Sequence, residues 1–279
     1  VTVSAGLDEP IASQAASWGD YDNDGKLDLF VGGEYHKSTP DPRNLCRLYH
    51  NNGDGTFTNI AQSAGVLNEE WTKAGTWGDY DDDGKIDLYV SNMNGPNRLY
   101  RNRGGGIFED VAAALKVDDP FQSFACWFWD YDNDGKLDLF VCGYFATLND
   151  IVKDSLGESA EGERPRLYRN VGEGRFQDVT AQVGLDFVTL PMGTNYADID
   201  NDGFLDMYLG TGQPAYMTLV PNLMFKNEGG KRFVDITEAA GTGHLQKGHG
   251  VSFADGDGDG NLDLFIQMGG VATGDRSHN

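Results

Sequence analysis

Five stretches of this sequence set aspartates at positions one, three, five and nine of a nine-residue window, with glycine at position six each time. The first holds Asp20, Asp22, Asp24 and Asp28, with Lys26 at position seven; the second Asp79, Asp81, Asp83 and Asp87, with Lys85. The third holds Asp130, Asp132, Asp134 and Asp138, with Lys136; the fourth Asp198, Asp200, Asp202 and Asp206, with Phe204. The fifth holds Asp255, Asp257, Asp259 and Asp263, with Asn261. Carboxylates so spaced, with the backbone carbonyl of residue seven added, are a donor set for a hard cation, and Ca²⁺ suits it best. The glycines Gly25, Gly84, Gly135, Gly203 and Gly260 permit the sharp turn that wraps oxygens around an ion. Without a cation, four carboxylates in nine residues would repel one another. The chemistry expected is therefore calcium binding at about five sites.

Two neighbouring chemistries fit less well. An EF-hand needs a bidentate Glu at position twelve, where this chain has Val31, Val90, Val141, Leu209 and Ile266. The position-nine aspartates must close the site instead. Zn²⁺ prefers nitrogen and sulfur, and no His or Cys lies within any loop. Mg²⁺ keeps several waters and suits an all-protein cage poorly.

Something must hold these loops in place, and the sequence around them repeats too. The first aspartates are 59, 51, 68 and 57 residues apart, a period typical of repeat architectures. Two residues before each loop stands an aromatic: Trp18, Trp77, Phe128, Tyr196 or Phe253. After each loop comes an apolar run, 27–31, 86–90, 137–141, 205–209 or 262–266, which reads as a buried strand. Leu48-Tyr49, Leu99-Tyr100, Leu167-Tyr168 and Met224-Phe225 then precede a basic residue or His50, an Asn and a glycine-rich turn. Phe57, Phe108, Phe176 and Phe233 open a last strand that runs to Ile60, Val111, Val179 or Ile236. Each repeat thus predicts four antiparallel strands, A to D, with the acidic loop between A and B. Four-stranded units of this length are blades of a β-propeller, an all-β fold. Little helix is expected, and Ala-rich pieces such as Val111–Leu115 read as turns.

The expected organisation is a single domain over residues 1–279 with about five repeats, incomplete at both ends. Residues 1–7 match the end of a D strand, four complete blades follow, and strands A and B of a fifth close the sequence. A longer parent protein is the expectation.

Composition narrows the partners. The formal charge is −23, from 44 Asp and Glu against 21 Lys and Arg, which argues against nucleic acid. Loop aspartates supply 20 of those acids, and five Ca²⁺ would bring the charge to about −13. No run of 18 apolar residues predicts membrane insertion. Three cysteines make no disulfide scaffold; Cys126 and Cys142 flank the third loop, where either a bridge or two buried thiols fits.

The combination of WGDYDNDGKLDLFV with a following L-Y-x-N and G-x-F resembles the FG-GAP/VCBS repeat family, the integrin-type calcium-binding propellers. Dockerins follow a similar loop with helix, and thrombospondin repeats are Cys-rich, so neither fits. The closing segment from Met268 is similar to the last propeller repeat of ASPIC/UnbV-type proteins. The resemblance implies blades within a seven-bladed ring, and a calcium-stabilised scaffold for adhesion or recognition.

Loops A–B and C–D of such a blade share one face, and the longer B–C and D–A loops share the other, where ligands are expected. Tyr35, His36, Trp71, Tyr144, Phe145, Phe187 and Tyr216 are the candidates there, and His244 and His249 fall in a D–A loop. The function expected is a non-catalytic extracellular, periplasmic or cell-surface scaffold that binds a protein or glycan ligand or self-assembles. A filament subunit completed by strand addition and a polysaccharide-active enzyme are the alternatives. No G-x-S-x-G or H-E-x-x-H supports catalysis.

Overall fold

A computed structural model describes residues 2–212, 220–245 and 247–269. The acidic repeats fold as antiparallel sheets in chain order. The first sheet joins β1 (Ser13–Gly19), β2 (Asp28–Gly33), β3 (Arg47–Asn51) and β4 (Phe57–Asn59). The second joins β5 (Trp71–Gly78), β6 (Asp87–Met93), β7 (Arg98–Asn102) and β8 (Phe108–Asp110). The third joins β9 (Ser123–Trp129), β10 (Asp138–Gly143), β11 (Arg166–Asn170) and β12 (Phe176–Asp178). The fourth joins β13 (Pro191–Ala197), β14 (Asp206–Thr211), β15 (Leu223–Asn227) and β16 (Phe233–Asp235), and β17 (Gly248–Ala254) pairs with β18 (Asp263–Met268). Every acidic loop therefore links the first two strands of its sheet, as the spacing predicts.

The chain divides into two compact units. One comprises Val1–Trp129, Lys136–Val141 and Tyr168–Gln177; the other Asp130–Gly135, Cys142–Leu167 and Asp178–Asn279. In the first unit β1 packs beside β5 and β5 beside β9; in the second β13 packs beside β17. The apolar core lies between neighbouring sheets. Phe30 and Leu48 of the first sheet meet Leu88, Val90 and Phe108 of the second. This explains the aromatic–small–Asp pattern ahead of four of the five loops, at Gly19, Gly78, Ala197 and Ala254; the third has Trp129 there. A Cβ on Gly19 would sit 2.8 Å from the Trp77 ring, and one on Gly78 2.7 Å from the Phe128 ring. The next blade's aromatic needs that space, so the residue before the loop must be small at these two positions.

Several expectations are corrected. Residues 2–6 form a turn, not a strand end, and Ala5 O accepts from Phe57 N at 2.8 Å. The D strands stop one residue earlier than expected, because Ile60, Val111 and Ile236 are N-caps of one-turn helices: α1 (Ala61–Ala64), α2 (Ala112–Leu115) and, later in the chain, α4 (Thr237–Ala240). Between them, α3 (Leu148–Ser155) occupies the long third B–C insertion. A reciprocal capping box starts it: Thr147 accepts from Asp150 N, and Asp150 accepts from Thr147 N. The Thr-x-x-Asp signal was present in the sequence. Cys46, Cys126 and Cys142 are buried and not joined in a disulfide, so of the two alternatives left open above it is the buried thiols that form. Burial pushes the Cys126 thiol up to about 12. His249 belongs to β17 rather than to a loop. No helix among the described residues is long and apolar enough to cross a membrane. Tyr216 and the closing segment beyond Gly269 lie outside the described residues.

Candidate metal centres

Each loop is built from the inside by its own backbone. Asp20 takes both positions of a tight turn: Asp24 N donates to its Oδ1 at 3.0 Å and Gly25 N to its Oδ2 at 2.9 Å. The pattern recurs at Asp79, Asp130, Asp198 and Asp255, with distances of 2.8–3.1 Å. The glycine at position six has φ of 84–90° in all five loops, and a Cβ there would meet nothing within 4 Å. Glycine is required by its backbone conformation, not by crowding. Position four is left-handed as well, at Asn23, Asp82, Asn133 and Asn201 (φ 55–60°). Asn and Asp tolerate that region better than other side chains.

The ninth aspartate is the anchor. Asp87 is fully buried; its Oδ2 accepts from Tyr80 N at 3.2 Å and its Oδ1 from Asn102 N at 2.8 Å. Asp28 and Asp206 do the same with Tyr21 N and Asn51 N, and with Ile199 N and Asn227 N. Asp138 Oδ1 accepts from Asn170 N at 2.7 Å. The fifth loop is looser: Asp263 accepts from Gly256 N, yet it is exposed.

These braces bring carboxylates together. In the triads Asp20/Asp22/Asp28, Asp79/Asp81/Asp87 and Asp198/Asp200/Asp206, ligand oxygens lie within 4.8 Å of one another. Asp130, Asp132 and Asp138 hold the same three positions of the third loop. The fifth aspartates are turned to position seven: Lys26 N, Lys85 N, Phe204 N and Asn261 N donate to Asp24, Asp83, Asp202 and Asp259. Lys26 and Lys85 also pair with Asp24 and Asp83 through their ammonium groups. Asp81 Oδ1 is buried and has no hydrogen-bond partner. A buried carboxylate oxygen without a donor, beside two more carboxylates, fits an oxygen-coordinated cation such as Ca²⁺.

Burial pushes the Asp87 carboxyl up to about 7 and Asp206 up to about 6, and raises Asp28 also. A carboxyl raised on folding contributes stability while it is protonated and loses it as pH rises through the raised value. Metal-free protein is therefore expected to melt at lower temperature at pH 7.5 than at pH 5, and saturating Ca²⁺ is expected to abolish that fall. Thermal melts in EGTA and in Ca²⁺ across this range check it; a melting temperature that climbs with pH in EGTA would contradict it.

The loops also reach the next blade. Asn23 Nδ2 donates to Gly84 O and Asn133 Nδ2 to Gly203 O, each at 2.8 Å. In the opposite sense Asn102, Asn170 and Asn227 each donate at 2.7 Å to a carbonyl of the preceding loop, those of Tyr21, Tyr80 and Tyr131. The three tyrosine rings pack on Phe108, Phe176 and Phe233, which open the following D strands. The strand-C asparagines were visible in the sequence as a repeated letter, but their role was not.

Sequence reasoning missed a histidine. His50 Nδ1 lies 3.4 Å from Asp22 Oδ2 and 3.4 Å from Asp28 Oδ1. No histidine lies within a loop, but strand pairing Leu29↔Tyr49 sets His50 beside Asp28. Of the ligand-face candidates, Tyr35, His36 and Trp71 line a cleft of about 270 Å³ with Lys37 and Glu70. Phe187 is committed to packing, stacked on Phe225 at 5.1 Å, and Tyr144 donates to Gly212 O. Phe145 is exposed.

The FG-GAP-like repeat model matches residues 20–90, 79–141 and 155–209. The first two matches begin on the first aspartate of a loop, and together the three cover more than half of the chain. The chain belongs to the FG-GAP-like repeat family. Its fold is accordingly all-β, a propeller of four-stranded antiparallel blades. Among curated relatives, Cartilage acidic protein 1 of Homo sapiens is 32% identical over 171 residues, covering 60% of this chain and 24% of the relative. The Mus musculus protein of the same name is 29% identical over 217 residues, covering 76% of this chain and 31% of the relative. The chain thus spans about a quarter to a third of the curated relatives it matches. A solved Agrocybe aegerita lectin, described as recognising non-reducing terminal N-acetylglucosamine, aligns at 18% identity and a TM-score of 0.49, over 92% of this chain and 61% of that one.

Proposed function

We propose that this FG-GAP-like array is a calcium-stabilised, non-catalytic scaffold that works outside the cytosol and presents its longer loops to a protein or glycan partner. The observation that carries the reading is the second loop, where carboxylate oxygens of Asp79, Asp81 and Asp87 converge and Asp81 Oδ1 is buried without a donor. Asp20, Asp22, Asp24 and Asp28, with the Lys26 carbonyl, would hold the ion in the first loop, and the matching residues in the others. Bound Ca²⁺ supplies charge neutralisation; the chain's own bonds from Asn102, Asn170 and Asn227 tie each ordered loop to the blade that follows. Extracellular modules bind Ca²⁺ with Kd of about 0.1–1 mM, which suits extracellular calcium and leaves cytosolic sites empty. The names of the curated relatives, which refer to cartilage, are consistent with that location.

The scaffold's variable parts supply surface rather than chemistry. α3 exposes Leu148 and Val152, with Leu156 just after it, and the cleft beside Trp71 is lined by aromatic and charged side chains. Exposed apolar groups on loops of a rigid framework suit recognition. Equilibrium dialysis against Ca²⁺ tests the proposal: about five ions per chain are expected, with one fewer in Asp81→Asn. A chain that takes up no Ca²⁺ at millimolar concentration overturns it.

A further inference from the structure

The residue after the strand-C aromatic differs between repeats in a way that changes the chemistry beside each loop. In the second repeat it is Arg101, whose Nη2 lies 2.5 Å from Asp81 Oδ2 and 3.7 Å from Asp83 Oδ2. In the fourth it is Lys226, whose ammonium pairs with Asp200 and lies 3.4 Å from Asp202. The third repeat has Arg169 at this place. Arginine and charged lysine have no lone pair to offer a metal. The first repeat has His50 instead. Its Nδ1 lies 3.2 Å from the Tyr21 hydroxyl, and a ring nitrogen with one oxygen each of Asp22 and Asp24 forms a group within 4.8 Å.

We infer that the first loop selects a borderline divalent ion of the Zn²⁺ class, held by His50, Asp22 and Asp24. The inference rests on the metal-binding reading of the loops proposed above and adds a selectivity that the other loops do not share. The histidine adds an imidazole nitrogen, a donor favoured by Zn²⁺, Co²⁺, Ni²⁺ and Cu²⁺ but not used by Ca²⁺, and the Lys26 ammonium that pairs with Asp24 must yield to the ion. The spacing fits as well. Ligand atoms bound at about 2.0–2.1 Å in a tetrahedral site stand roughly 3.3 Å apart, and His50 Nδ1 lies 3.4 Å from Asp22 Oδ2. Asp22 and Asp24 are partly open to solvent, so water can complete the coordination. Asp28 stays engaged with Tyr21 N and Asn51 N as the loop's anchor. Such an ion displaces Ca²⁺ from the first loop, because both use Asp22 and Asp24.

The test is a Co²⁺ titration of the intact chain in about 1 mM Ca²⁺, followed by visible absorption and equilibrium dialysis. One equivalent of Co²⁺ is expected to bind with d–d bands of a nitrogen–oxygen site and to be released by Zn²⁺. His50→Arg, which installs the residue type of the second and third repeats, is expected to weaken Co²⁺ binding roughly tenfold or more while Ca²⁺ uptake at the other loops persists. His50→Gln gives a second variant should the first fold poorly, with circular dichroism as the check. Arg101→His is expected to add a second Co²⁺ equivalent. Identical Co²⁺ binding by wild type and both His50 variants overturns the inference, as does normal Ca²⁺ uptake with no Co²⁺ retained. Loss of all metal uptake instead overturns the calcium reading beneath it.

Discussion

Chelation with EGTA is expected to lower the melting temperature of this protein by about 15 °C. At about 1 mM Ca²⁺ and a Kd of about 0.1 mM each site contributes about 1.4 kcal/mol, so five independent sites give roughly 7 kcal/mol. One kcal/mol displaces the midpoint by roughly 2–4 °C in a domain of comparable size. The structure explains why binding energy should register as stability. Asp87 and Asp206 are buried among other carboxylates, and burial opposes their ionisation. Two such charges 4 Å apart repel by about 4 kcal/mol at an effective dielectric of about 20. A cation turns that repulsion into attraction without moving the braced side chains. Differential scanning calorimetry with metal analysis decides the matter. A shift below about 3 °C, in a protein that releases calcium to the chelator, would separate the ions from stability.

Asn102→Ala is expected to cost about 3 kcal/mol. Asn102 is buried; its Nδ2 donates to Tyr21 O at 2.7 Å and Ile86 O at 3.1 Å, and its Oδ1 accepts from Gly104 N at 2.9 Å. Truncation removes the bond to the preceding blade and orphans the Tyr21 carbonyl. Urea unfolding of the variant in saturating Ca²⁺ measures it. A cost below about 1 kcal/mol would show that the bond between blades is not what holds this interface.

Repetition made most of the fold legible. Five copies of one acidic loop, each followed by the same apolar run, fix where strands A and B must lie. The small residue before four of the five loops was visible too, though its reason at Gly19 and Gly78, the neighbouring blade's Trp77 or Phe128, is not local. α3 escaped because the third insertion has no counterpart in other repeats, so its capping box and the spacing of Leu148, Ile151 and Val152 stood alone. His50 escaped for a different reason. It is 22 residues beyond Asp28, and only the register of β2 against β3 makes them neighbours. Residue types reveal candidate ligands within a loop; they do not reveal a side chain brought to it by strand pairing.

The bonds from Asn102, Asn170 and Asn227 all run the same way, from a blade back to the loop before it. This set of bonds has one direction, whereas Asn23 and Asn133 donate forward to Gly84 and Gly203. An ion lost from the loop at Asp20 frees the Tyr21 carbonyl from its ordered turn, and the strand that feels this first is β7, downstream. Damage passes toward the C-terminal side by this route, so proteolytic sensitivity after a single-loop substitution should appear one repeat later than the residue changed.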